Sequence, residues 1–163
     1  MSRKLRCYDY VNHPYERVRD ELKAHALDLF HDATKVAASR AHSVASGLRV
    51  NIGGIEVGTD IAISVKKIVE RSGELSVPST TRVHLEWEAA KMPRLFPFMK
   101  AELAIYPLTA TETQLDLSGR YEPPLGLLGE AMDAIAGHRI AEASVHRFLT
   151  DVAAHLRKTL ADR

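Results

Sequence analysis

Hydrophobic and polar positions along the chain follow three regimes. Residues 5–11 alternate, with Leu5, Cys7, Asp9 and Val11 against Arg6, Tyr8 and Tyr10. That is strand period, with either face able to turn inward. Asn12-His13-Pro14 ends it: Asn12 or His13 suits an N-cap, and Pro14 suits the first helical position, where its missing N–H would go unpaired anyway. Over residues 14–43 apolar positions recur at helical spacing, at Val18, Leu22, Ala26, Leu29, Ala33, Val36 and Ala37. The segment is rich in good helix formers and reads as one long helix or as two shorter ones bent near residues 23–26, with Gly47 just past the end.

From Leu48 the period becomes two. Leu48, Val50 and Ile52 precede a Gly53-Gly54 hairpin signal, and Ile55, Val57, Thr59, Ile61, Ile63 and Val65 alternate along a strand ending near Glu70. A bulge near Gly58 would split that strand. After the polar turn at 71–74, residues 79–89 place Val83, Leu85 and Trp87 on one side and Arg82, His84, Glu86 and Glu88 on the other. Clean alternation means one buried and one wet face, the mark of an antiparallel sheet. Residues 91–100 are broken by Pro93 and Pro97, yet Leu95, Phe96, Phe98 and Met99 are too apolar for a solvated loop. They form either a loop packed on the core edge or a flap over a pocket mouth. Ala101, Leu103 and Ile105 continue as a strand to Pro107, paired through 108–112 with a strand at 113–121.

A Pro-rich corner at 122–126 leads into a helix over about 127–160, about 50 Å long at 1.5 Å per residue. In its C-terminal half Ala141, Val145, Phe148, Leu149, Val152, Leu156 and Leu160 share one stripe. In the N-terminal half Leu128, Met132 and Ile135 lie on a stripe rotated by about a quarter turn, the change falling near Gly137. Arg139, Glu142 and His146 lie near the extension of the first stripe, either facing inward or at its border. The alternation predicts Val83, Leu85, Trp87, Leu103, Ile105, Leu115 and Leu117 buried, and Arg82, Glu86, Gln114 and Asp116 exposed.

Composition narrows the setting. A chain of 163 residues favours one domain, 1–163, with a sizeable core. A net charge of +1 makes no electrostatic case for nucleic acid or an anionic membrane. The single cysteine, Cys7, forms no internal disulfide, the N-terminus has no apolar run of a signal peptide, and no stretch has the 18 apolar residues of a membrane span. The expectation is a reduced, cytoplasmic protein with no integral membrane association, its oligomeric state left open.

The run Thr113-Gln114-Leu115 to Gly119-Arg120-Tyr121-Glu122-Pro123-Pro124-Leu125-Gly126, followed by Gly137-His138-Arg139-Ile140-Ala141, resembles the C-terminal half of START-like proteins (SRPBCC, Bet v 1-like), above all bacterial members of the polyketide cyclase-like kind. The element order agrees over nearly the whole chain; the local motif covers the last third. The resemblance implies an α+β helix-grip fold. In it a curved antiparallel sheet of six to seven strands wraps a long C-terminal helix, with helical segments between strands 1 and 2. It also implies a cavity between sheet and helix for a hydrophobic or amphipathic small molecule. The side chains expected to line it are Leu85, Trp87, Phe96, Phe98, Leu103, Ile105, Leu117, Tyr121, Met132 and Ile135, with Arg139 as anchor for an acidic head group and Glu142 as its nearest partner. Gly119 leaves a side chain out of that surface.

Catalytic chemistry is less marked, and no catalytic residue is singled out. The eight histidines have no metal-ligand spacing, so neither metal nor cofactor is expected. Cys7 has no partner motif, and no Gly-x-Ser-x-Gly elbow or phosphate-cradling loop is present. Arg139, Glu142 and His146, spaced i, i+3 and i+7, are either a surface row on the helix edge or an acid–base constellation at the cavity. Binding or carriage of a small molecule therefore stands ahead of a cyclase, dehydratase or hydrolase, and ahead of a filled-core interaction protein.

Overall fold

The computed structural model describes residues 3–47, 61–89, 99–121 and 134–163. Its elements are β1 (Arg3–Val11), α1 (Tyr15–Gly47), β2 (Ile61–Arg71), β3 (Thr80–Ala89), β4 (Met99–Pro107), β5 (Thr113–Tyr121) and α2 (Ala134–Ala161). The five described strands form one antiparallel sheet in the order β1-β5-β4-β3-β2. The first strand thus pairs with the last, and α1 spans the connection from β1 to β2. α2 lies against α1 and against the sheet at β1 and β5. This is an α+β, helix-grip-like arrangement. The strand expected at 48–52, the Gly53-Gly54 turn and the bulge near Gly58, on which a count of six to seven strands depends, lie outside the described residues.

Alternation decides which face of the sheet is inner. Val83, Leu85, Trp87, Leu103, Ile105, Leu115 and Leu117 are all buried. On the opposite face Arg82 is exposed, and Glu86 and Gln114 are half-buried. Asp116 departs from expectation: it is buried on the outer face. Its cross-strand neighbour on β4 is the small Ala104, and from β1 the Arg6 guanidinium reaches over it, Nε to Oδ1 at 3.1 Å and Nη2 to Oδ2 at 2.9 Å. Two-pronged Arg–carboxylate pairing holds such an ion in place without full hydration. β2 carries a bulge at Lys66, between the pairs Val65–Leu85 and Lys67–His84. Beyond it the parity flips, so that Ile68 stands opposite the inward Val83.

α1 is continuous but kinked at His25, whose backbone leaves helical geometry at φ −130°, ψ 22°. The break falls inside the 23–26 window. Here Glu21, a buried carboxylate, accepts from His25 Nδ1 at 2.9 Å and from Arg163 Nη1 at 2.7 Å. Nearby Arg17 Nη2 donates to the Leu160 carbonyl at 2.8 Å, a cation at the carbonyl end of α2. Arg157 donates to Asp9 at 2.7 Å and lies over the Tyr10 ring. These contacts fix the last turns of α2 to α1 and β1. The helix has 28 residues, about 42 Å. Its stripe Ala141, Val145, Phe148, Leu149, Val152, Leu156 and Leu160 is buried along its length. Among the described residues no helix is long and apolar enough to cross a membrane.

Candidate functional site

Strand register sorts the inner face into rows. The row nearest the ends of β3 and β5 runs Ile63, Trp87, Met99, Tyr121 and Arg3 across the five strands. The next is small at its centre: Val65, Leu85, Ala101, Gly119 and Leu5. Then come Val83, Leu103, Leu117 and Cys7. Leu103 lies four residues along β4 from Met99 and Ile105 six, about 13 and 20 Å at strand rise. The structure therefore brings Trp87 and Tyr121 into one row, with Leu85 behind them. It places Leu103, Ile105 and Leu117 deep in the fully buried core. Phe96, Phe98 and Met132 lie outside the described residues, as does the side chain of Ile135.

Two members of the first row, Trp87 and Tyr121, are fixed by the helices. The Trp87 indole Nε1 donates to Thr34 Oγ1 at 3.0 Å, and that hydroxyl donates to the Phe30 carbonyl at 2.7 Å. Trp87 meets the ring of Phe148 edge-on, centroids 5.1 Å apart, and Phe148 stacks on Phe30 at 6.0 Å. Sheet, α1 and α2 are thus joined by one aromatic block. Two strands from Trp87 the hydroxyl of the buried Tyr121 lies 3.1 Å from His138 Nδ1, the two rings roughly parallel at 6.2 Å. Burial raises the Tyr121 pKa above its ordinary value, and the charge and hydrogen bond of Arg3, its cross-strand partner, offset part of that rise. The phenol therefore keeps its proton at neutral pH. Met99, between Trp87 and Tyr121, and Ile63, on the far side of Trp87, are only half-buried.

Arg139 is exposed, as are Glu142 and His146. The expected inward placement of Arg139 is thus not met, and the neighbouring His138 is the half-buried residue. His138 stands three before Ala141, seven before Val145 and ten before Phe148, so it continues the buried stripe. The expected rotation of that stripe at Gly137 does not turn Arg139 inward. Arg3 shares the odd parity of Leu5 and Val11, but the alternation left open which face turns inward; Thr34 carried no signal beyond its helix face. Burial, and after it the charges of Asp116 and Asp9, push the Cys7 thiol up to about 11, so it is held as a thiol. Among the described residues no cluster of three metal-ligating side chains occurs.

No protein-family model matches the sequence, and no curated protein matches it either. Among solved structures the chain is similar to the Zhui aromatase/cyclase of Streptomyces sp. R1128, at 14% identity and a TM-score of 0.48, covering 98% of this chain and 96% of that one. A START superfamily protein of Mycobacterium smegmatis is similar at 7% identity and TM-score 0.48, covering 96% and 98%. Norcoclaurine synthase of Thalictrum flavum, solved with dopamine and hydroxybenzaldehyde, is similar at 9% identity and TM-score 0.46, covering 100% and 88%. Scores and identities this low do not bring those proteins' ligands or activities to this chain. The alignments cover 96–100% of this chain, and one of these structures is described as a START superfamily protein, the kind that the sequence resembles.

Proposed function

We propose that this chain binds and carries a hydrophobic or amphipathic small molecule between the inner face of the sheet and α2. The supporting observation is the composition of the first row. A rigid aromatic wall at Trp87 and an oriented polar pair, Tyr121–His138, are accompanied by two incompletely covered apolar side chains, Met99 between them and Ile63 on the far side of Trp87. Small-molecule sites combine these features: mostly apolar lining, few polar groups, and those held in place. In this reading residues 1–163 form one helix-grip domain.

A second reading is favoured by the Tyr121–His138 pair itself. A protonated phenol beside an imidazole is a proton donor and acceptor in contact, the minimum for acid–base chemistry of a cyclase or dehydratase kind. Carriage remains first because among the described residues no further acid or base is hydrogen-bonded to the pair.

Trp87 is the chain's only tryptophan, so its emission reports on this row alone. Titration with the neutral apolar dye N-phenyl-1-naphthylamine should quench Trp87 saturably, with energy transfer to the dye. A folded protein whose Trp87 emission stays unchanged at all dye concentrations would contradict the proposal.

A further inference from the structure

The hydrogen-bonding order at Tyr121 defines what the site presents to a ligand. Arg3 carries only donors, so the Tyr121 oxygen accepts from its guanidinium. The hydroxyl proton then goes to His138 Nδ1, 3.1 Å away. A neutral imidazole that accepts at Nδ1 carries its own proton on Nε2. Nε2–H is therefore a donor on the side of the ring away from Tyr121. The His138 ring is half-buried, and Nε2 has no partner among the described residues. The site thus offers a donor close to a guanidinium.

We infer that this row takes the acidic end of its ligand at His138 Nε2, so that an aromatic or aliphatic carboxylic acid binds in preference to a neutral molecule of the same shape. The inference rests on the small-molecule reading above. A carboxylate accepts the Nε2 proton directly. Because the carboxylate is ionised, this is a charge-assisted hydrogen bond, about twice the strength of a neutral one. The described charges nearby leave this pairing open. Asp9 is held by Arg157, Asp116 lies on the outer face with Arg6, and Glu142, one turn along α2, is exposed. Tyr121 is a positioning residue here: its proton holds His138 in the tautomer that points a donor at the ligand.

The test uses the full chain and two probes, 2-naphthoic acid and 2-naphthylmethanol, titrated against Trp87 emission and by calorimetry. The acid should bind at least tenfold more tightly than the alcohol. His138→Phe keeps a ring and removes both nitrogens, and should bring the acid-to-alcohol ratio close to one. Tyr121→Phe, which frees the tautomer without removing Nε2, should lower the ratio partway. Equal affinities in the unmutated protein, or an undiminished ratio in both variants, would overturn the inference while leaving small-molecule binding in place. Should His138→Phe fail to fold, Tyr121→Phe alone decides through the same ratio. Binding of neither probe would overturn the inference and the small-molecule reading together.

Discussion

Phe148→Ala should cost about 3–5 kcal/mol of folding stability, the cost typical of emptying a buried aromatic site. Phe148 is 2% exposed and lies where three elements meet: Phe30 of α1 stacks on it and Trp87 of β3 meets it edge-on. Neither neighbour can follow into the space. Trp87 is held by its bond to Thr34, and Phe30 is on a helix fixed at its N-terminal end by Arg17 and Glu21. The cavity term therefore adds to the lost transfer energy instead of relaxing away. For a chain of this length the melting temperature should fall by about 10 °C. Thermal unfolding followed by circular dichroism measures it. A loss under about 1 kcal/mol would mean that sheet and helices are not joined at this block.

Gly119→Val should destabilise by about 1–3 kcal/mol, through overpacking instead of a cavity. A Cβ at residue 119 would lie 3.0 Å from the Ala101 Cβ and 3.0 Å from the Lys100 carbonyl oxygen. The second of these is backbone of the paired strand, so a branched side chain has to push β4 and β5 apart beside the candidate site. Denaturant unfolding should show the shift in midpoint. Removing the other obstacle with Ala101→Gly in the same chain should recover part of the loss, because the two positions touch and do not act additively. A neutral Gly119→Val would show that the strands do not approach closely here.

Much of this architecture was legible in the chain because its periods are clean. The alternation at 79–89 and 113–121 placed each inner-face residue correctly, since a one-residue slip would have put Arg82 or Gln114 in the core. The kink at His25 fell within its expected window, although nothing in the sequence decided between one helix and two. Asp116 was misread because alternation describes the strand alone, whereas its burial depends on Arg6, 110 residues away, and on a small neighbour across the pair. Arg139 was misread for a related reason. A quarter-turn inferred around Gly137 outweighed the plain three-and-four spacing that links His138 to Ala141, Val145 and Phe148. The Tyr121–His138 contact joins a strand to a helix through tertiary packing, and no local pattern encodes it.

The central claim is that the space between sheet and α2 holds a small molecule. Native mass spectrometry of the protein isolated from its own host tests it most directly. The account predicts a mass above that of the 163-residue chain by one small organic molecule, released on denaturation and lost in parallel with a change in Trp87 emission. Its fragmentation should show a carboxylic acid. A spectrum of the bare chain alone, from protein that also leaves Trp87 emission unmoved by every apolar probe tried, would contradict the claim.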